Sequence, residues 1–251
     1  MIGSNKRSYI YGFFLKKLEG TILHPQWLSD RYHYQSRRLL EHIEMGCVVD
    51  IGSGDSDHSK FLMESTKLWR FDYPDTNYRY GNPPHVFADA SSMPMRDGSV
   101  DSVLLLEVLE HVEQFDNVLT EIRRILKRNG ALYLSAPFIY PAHDEPYDYH
   151  RFTRHGLEKD LARHGFKIEV IKQHGNSIVV ALQMLNLSML EFVAKTMKCS
   201  MLLGLLSATF SYPLCLLFNF FASPFLGITA NSASVFGHFI VAKPTDKGVS
   251  H

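Results

Sequence analysis

The sequence has no excess of either charge: 26 Lys and Arg residues are balanced by 26 Asp and Glu residues in 251. A nucleic-acid partner usually shows as a basic excess or stripe, so the balance argues against that class and directs attention to small or neutral substrates. Cysteine is scarce as well. Cys47, Cys199 and Cys215 are odd in number and lack any metal-ligand spacing, which excludes a disulfide framework and a zinc cluster and fits reduced thiols; no metal is expected. The start, "MIGSNKRSYIYGFFLKKLEG", shows no small-residue cleavage site, so a secretory signal is not expected and a cytoplasmic location is. A further deficit is local. No Asp, Glu, Lys or Arg occurs between Lys198 and Lys243.

What is present is an alternation of strand-like and helix-like patterns, which favours an α/β fold with a parallel sheet and helices on both faces. A helical stretch over Leu28 to Met45 stops at Gly46. "CVVDI" is a first buried strand, and residues from about Ser56 to Ser65 suit a returning helix. Asp72 closes a second strand, "LWRFD"; "HVFAD" is a short third, ending at Asp89; "SVDSVLLLE" is a fourth, apolar as a central parallel strand should be, ending at Glu107. Apolar residues from Phe115 to Leu126 fall on one helical face, with Gly130 as a left-handed stop. "ALYLSAPF" is the fifth strand. Thr153 caps a helix running to about His164, Gly165 ends it, and "FKIEVI" follows. Residues 178 to 228 read as an apolar insertion before the last strand, "GHFIVAKP". The organisation expected is an N-terminal segment 1–46, a core 47–172, an insertion 173–230 and a final strand and tail 231–251.

The turn after the first strand, "VVDIGSGDS", carries the first functional signal. A diphosphate site wants a third small residue where Asp57 stands. Asp50, Asp55 and Asp57 also place three carboxylates around the turn, and at an effective dielectric of about 20 a like-charge pair at about 4 Å costs on the order of 4 kcal/mol. A cationic ligand is favoured. S-adenosylmethionine carries a sulfonium and an ammonium against one carboxylate, and that carboxylate can use amides at a helix start. Asp72, about twenty residues on, stands where a carboxylate accepts ribose hydroxyls. Asp89 with the amide of Ala90 can read the adenine edge.

Together "VVDIGSGDS", "FADASSMPMRDGSVDSVLLLEVLEHV" and "EIRRILKRNGALYLSAPF" resemble the class I S-adenosylmethionine-dependent methyltransferases of the type 11 group, over roughly Leu39 to Val170. The resemblance implies a Rossmann-like seven-stranded, mostly parallel sheet with an antiparallel last strand. By position it implies that Asp50, Gly52, Ser53 and Gly54 line the methionine part, Asp72 the ribose, Asp89 and Ala90 the adenine, and Glu107 with Val108 the far wall. Ser56 stands where the family often has a third glycine.

Substrate chemistry points to "IYPAHDEPYDYHRFT", directly after the fifth strand. Its H-x-x-P-x-D-Y-x-R-F-T pattern resembles a branch of the group that accompanies saccharide and cell-surface glycan biosynthesis. A hydroxyl needs a base as it attacks, and a histidine suits that near neutrality. His143 is the preferred candidate over His150, with Asp148 orienting an imidazole and Arg151 gripping an anionic group or folding the loop. Asp148 and Arg151 as a plain ion pair is the alternative. The expected reaction is O-methylation of a small or lipid-linked saccharide; a quinone or isoprenoid methyltransferase, or a silent cofactor-binding scaffold, are the other readings. Met201 to Phe221 reaches spanning length, but Pro213 falls mid-run, so two short helices are expected, acting as a lid or a peripheral contact of 178–228 with a membrane surface, with a subunit interface or a true span as the remaining readings.

Overall fold

The structure, a computed structural model, describes residues 17–18, 20–74, 83–228 and 232–245. The basic and aromatic start and the middle of the tyrosine-rich connection lie outside the described residues. The chain divides into two compact units, one built from the described residues up to Tyr34 with His174–Phe236, the other from Gln35–Gln173 with the chain from Gly237 onward.

The second unit holds the sheet. Its strands are β1 (Cys47–Ile51), β2 (Lys67–Asp72), β3 (Val86–Phe87), β4 (Val100–Leu106), β5 (Leu126–Pro137), β6 (Phe166–His174) and β7 (Gly237–Pro244), in spatial order β3-β2-β1-β4-β5-β7-β6. β1 runs parallel to β2 and β4, and β4 parallel to β5, whereas β7 pairs antiparallel with β5, Ala136 facing His238. Successive side chains on a strand point to opposite faces, so each central strand feeds two cores. Val49, Leu105, Leu134 and Ile240 enter one; Val48, Leu104, Tyr133 and Phe239 enter the other.

The first core is closed by α2 (Phe115–Ile125) and α3 (Arg154–Arg163). Val118, Leu119, Ile122 and Ile125 of α2 are essentially fully buried, as the helical spacing requires, each contributing roughly 1.5–3 kcal/mol. Thr153 caps α3 by accepting the Gly156 amide at 3.1 Å, and Gly165 ends it with φ +74°. The second face is covered within this unit by Leu40 and Ile43 and by Phe61, on and beside two 3-10 turns, Arg38–His42 and Ser59–Phe61.

Several boundaries differ from the sequence expectation. The helix from Trp27, α1 (Trp27–Arg37), tightens to a 3-10 turn that ends before Gly46. No helix returns over 56–65; only the Ser59–Phe61 turn forms. There the Asp57 carboxylate accepts from both the amide and the hydroxyl of Ser59, at 3.1 and 2.5 Å, competing locally with helical bonding. Gly130 is not a left-handed stop either. α2 ends at Ile125, Leu126 is already extended, and Gly130 lies within β5, where a Cβ would meet the Asp101 carbonyl at 3.0 Å.

The first unit is dominated by a helical hairpin, α4 (Ser177–Cys199) and α5 (Met201–Ala222). Two long helices replace the two short ones expected, because the break falls at extended Ser200 and Pro213 is carried inside α5. Gly204 lets the helices approach: a Cβ there would stand 2.4 Å from Met197 Cγ. Polar side chains tie them, Asn186 to Asn219 at 2.9 Å and Thr196 to Ser207 at 2.7 Å. Both helices are long and apolar enough to cross a membrane.

His238, on β7, is 2% exposed and neither ring nitrogen has a hydrogen-bond partner. Burial, helped by the Arg154 charge and opposed by Glu158, pushes its pKa down to about 4. Unfolded histidine titrates near 6.5, so the unfolded chain binds the proton first as pH falls. Stability from this group is complete above about 6.5 and declines toward 4. Lowering the pH from 7 to 5 is expected to remove about 2 kcal/mol, and His238→Phe to abolish that part of the loss, as read from urea midpoints at the two pH values.

Candidate active site

The carboxyl edge of β1, β2 and β4 assembles the expected cofactor residues. Gly52 and Gly54 both have left-handed backbones, φ +69° and +51°. A Cβ at Gly52 would lie 2.5 Å from Val108 Cγ2, so the turn after β1 and the residue after β4 close directly on each other. The turn is pinned by the end of β2. The amides of Gly52 and Ser53 both donate to the Phe71 carbonyl, at 2.9 and 3.1 Å, and that of Gly54 to Asp72 Oδ2 at 2.8 Å. The Asp72 second oxygen accepts from the Tyr73 amide at 2.7 Å, which leaves each carboxylate oxygen one further lone pair for a hydroxyl. These bonds correct the expectation that helix-start amides receive the ligand carboxylate: there is no helix, and the three amides are used within the protein.

The acids of the turn are also arranged differently from a simple cluster. Asp50 is buried and bonded to buried His58 at 2.8 Å. Asp57 is exposed, and its hydrogen bond from the Ser59 hydroxyl holds it below the usual carboxylate range. Asp50 is thus paired in the interior, while Asp55 and Asp57 lie at the surface of the turn. Asp89 is exposed and takes the Ser91 amide and hydroxyl on Oδ1, at 2.8 and 2.7 Å, while Ala90 packs on the core. The loop that follows is clamped from α2. Glu121 accepts the Met93 amide at 2.6 Å, and Arg124 bonds both Glu121 oxygens and the carbonyls of Met93 and Met95. That clamp was not anticipated; its signal is the Glu121 and Arg124 pair three residues apart on the helix.

After β4 the chain turns sharply. Glu107 is one of two described non-glycine residues with positive φ, at 56°. Beyond it Leu109–His111 forms one 3-10 turn, and Glu110 is 0% exposed with no hydrogen-bond partner for either oxygen. Burial first, then the Glu107 carboxylate, hold its pKa well above the ordinary range, with its own backbone amide and then Arg151 partly offsetting. Glu110 escaped the sequence reading, although a carboxylate inside the apolar run "VLEHV" is a usable signal.

The loop from Phe138 to Thr153 folds onto this turn. The Glu110 carbonyl receives the amides of Tyr149 and His150 at 2.8 and 3.3 Å, and His111 Nδ1 meets the Tyr147 carbonyl at 2.8 Å. Arg151 binds Asp148 in bidentate fashion, both at 2.6 Å, and also the carbonyls of Tyr140, Pro141 and His150. Those bonds hold the Asp148 carboxyl well below its usual range. Asp148 additionally takes the His143 amide at 2.9 Å, and the His143 and His111 rings lie edge to face at 4.8 Å. His150 Nε2 faces the Glu113 carbonyl at 3.1 Å. Of the four loop residues singled out, Arg151 and Asp148 are thus committed to the shape of the loop, while His143 is brought to Glu110 and His111.

A sheet of order 3-2-1-4-5-7-6 with an antiparallel seventh strand, and a glycine turn after β1, defines the class I S-adenosylmethionine-dependent methyltransferase fold. Residues 49–134 match the family model described as a methyltransferase domain, so this segment is a methyltransferase domain of the type 11 group and the protein is an S-adenosylmethionine-dependent methyltransferase. A methyltransferase from Archaeoglobus fulgidus superposes with a TM-score of 0.54 at 14% identity, over 93% of this chain and 99% of that one. A 1,6-didemethyltoxoflavin-N1-methyltransferase from Burkholderia thailandensis, with bound S-adenosylhomocysteine, gives 0.53 at 14% identity over 96% and 87%. The cyclase SpnF gives 0.53 at 15% identity over 86% and 80%. No curated protein sequence matches the chain.

The cofactor is S-adenosylmethionine, and the residues present fit it. The Ser53 hydroxyl is buried with no partner beside the turn, and Asp72 keeps acceptor capacity. Gly52→Ala adds a methyl group against Val108 at a left-handed position, and is expected to cost about 1–3 kcal/mol and to abolish the rise in melting temperature given by S-adenosylhomocysteine. NADH should give the wild type no such rise; a rise with NADH alone would overturn the reading of the turn.

Proposed function

We propose that the enzyme methylates a hydroxyl oxygen of a small acceptor, a saccharide carried free or on a lipid. The observation that carries this is the state of His143. Its Nδ1 faces two groups that only accept, the Pro141 carbonyl at 3.3 Å and the Asp148 carboxylate at 3.4 Å. Nδ1 therefore carries the proton and Nε2 a lone pair, as a general base requires. His150 is the weaker choice, because its Nε2 is spent on the Glu113 carbonyl and its ring packs on Phe115. Asp72 would hold the cofactor ribose, Asp89 and Ala90 the adenine, and Gly52 through Gly54 the methionine part. The cofactor supplies the methyl group; the chain's task is to hold the acceptor oxygen about 3–3.5 Å away and in line, and to remove its proton. The polar, aromatic loop with exposed Tyr147 and Tyr149 supports a saccharide acceptor. One structural neighbour is the cyclase SpnF, so this fold does not by itself set the acceptor chemistry.

A second reading concerns the hairpin. Phe210, Phe220 and Leu202 are 73%, 67% and 67% exposed on helices without a charged residue after Lys198. Surfaces of this kind insert into the boundary of a bilayer, which supports peripheral membrane contact and a lipid-linked acceptor.

Incubation with methyl-labelled S-adenosylmethionine and fractionated extracts is expected to label a saccharide-containing fraction, and His143→Ala to lower that rate by about 10²–10⁴. Label in a prenylated phenol would overturn the saccharide acceptor, and full activity in His143→Ala would remove the base. In vesicle flotation, the wild type is expected to float with phospholipid vesicles and the Phe210→Asp, Phe220→Asp double variant to remain at the bottom; equal behaviour overturns the membrane reading.

A further inference from the structure

We propose that Glu110, His111 and His143 form a divalent-cation site at the carboxyl edge of the sheet. One ligand atom from each residue can be chosen so that all three lie within 4.8 Å of one another. Their hydrogen bonds leave the right atoms open. His111 Nδ1 is 2.8 Å from a carbonyl oxygen and so bears its proton, which leaves Nε2 with a lone pair, 3.9 Å from Glu110 Oε1. His143 is fixed in the same tautomer by the Pro141 carbonyl and Asp148. A backbone carbonyl or carboxylate behind each imidazole is the outer support that metal-binding histidines ordinarily have.

The independent observation is Glu110 itself. Its side chain is 0% exposed and neither oxygen has a partner, although a polar group taken out of water without a partner costs several kcal/mol. A cation satisfies both oxygens at once. Two imidazoles and one carboxylate suit a late first-row ion such as Zn²⁺ or Co²⁺ better than Mg²⁺ or Ca²⁺, which prefer oxygen sets. Bond lengths of about 2.0–2.2 Å to N and O ligands place tetrahedral ligands about 3.4 Å apart. The three groups must therefore close by up to about 1.4 Å, from 4.8 Å to about 3.4 Å, which the partly exposed rings of His111 and His143 can supply by side-chain torsion.

Three protein ligands leave a coordination position free. In a role that rests on the proposed methyl transfer to oxygen, that position takes the acceptor hydroxyl. Its pKa falls on binding, its proton passes to water, and the oxygen stays on the ion as the nucleophile. His143 offers the same Nε2 lone pair in both cases, as a ligand when the ion is bound and as the base when it is not. The cation uses histidine and glutamate, so the cysteine spacing that argued against zinc does not bear on it.

The test uses the full chain stripped with chelator, titrated with Zn²⁺ alone and with Co²⁺ alone, binding being read by calorimetry and bound metal by elemental mass spectrometry. One equivalent per chain is expected, weakened at least tenfold in Glu110→Gln, His111→Ala and His143→Ala and unchanged in His155→Ala. S-adenosylhomocysteine binding by each variant reports whether it is folded. If either of the first two fails that check, His143→Ala at its partly exposed position decides. Unaltered metal affinity in the folded variants, or no stoichiometric binding by the wild type, overturns the site. Absence of labelled product with stoichiometric metal would sink the acceptor reading alone.

Discussion

The left-handed backbone at Glu107 sets the geometry of the whole carboxyl edge. Side chains other than glycine reach that region at a cost of roughly 1–2 kcal/mol, so the surrounding packing has to over-determine it. It does. Val108, the next residue, is driven onto Gly52, where no Cβ fits, and Glu110 is turned to the interior. The carbonyl of that same Glu110 then receives the amides of Tyr149 and His150, which anchor the loop after β5. One backbone turn thereby couples the glycine turn, the buried acid and that loop, which neither strand order nor composition would link.

Arg151 plays the complementary part from the other side. Its guanidinium reaches three carbonyls and both oxygens of Asp148, which is nearly its full donor capacity. A planar fork used in this way shapes a loop rather than grips a ligand. The consequence for function is indirect: with Asp148 saturated by Arg151 and the His143 amide, the tautomer and position of His143 are inherited from the fold of the loop. Sequence alone joined these residues in one motif but could not tell a catalytic arginine from a scaffolding one, because both readings need the same spacing.

The legible part of the sequence was the part governed by repeating patterns. β1, β4 and β5 showed as apolar runs, α2 as a helical stripe, α3 through Thr153 and Gly165, and each lies where its pattern put it, within a residue or two at most ends. The failures share a different cause, local hydrogen bonding or tertiary contact overriding propensity. Asp57 and Ser59 bond each other where a helix was expected, Gly130 is demanded by the Asp101 carbonyl and not by a helix end, and Pro213 is accommodated inside α5. Glu110 is the instructive miss, since burial of an unpartnered carboxylate depends on a turn whose φ no pattern announces.

That miss also changes where the chemistry is sought. A cyclase and an N-methyltransferase lie among the structural neighbours at comparable similarity, so the sheet and its glycine turn specify a nucleoside platform and little about the acceptor. What distinguishes this chain at the carboxyl edge is concentrated in two short segments, 107–113 and 139–153, which fold onto each other. Between them they place three carboxylates, Glu107, Glu110 and Asp148, around a single guanidinium that Asp148 already occupies. Burial and the Glu107 carboxylate hold Glu110 toward its protonated form, so these segments combine one masked acid with two imidazoles whose Nδ1 atoms face carbonyl and carboxylate oxygens. That combination is set by the turn at Glu107 and by the folding of the loop upon it, and not by the order of the strands.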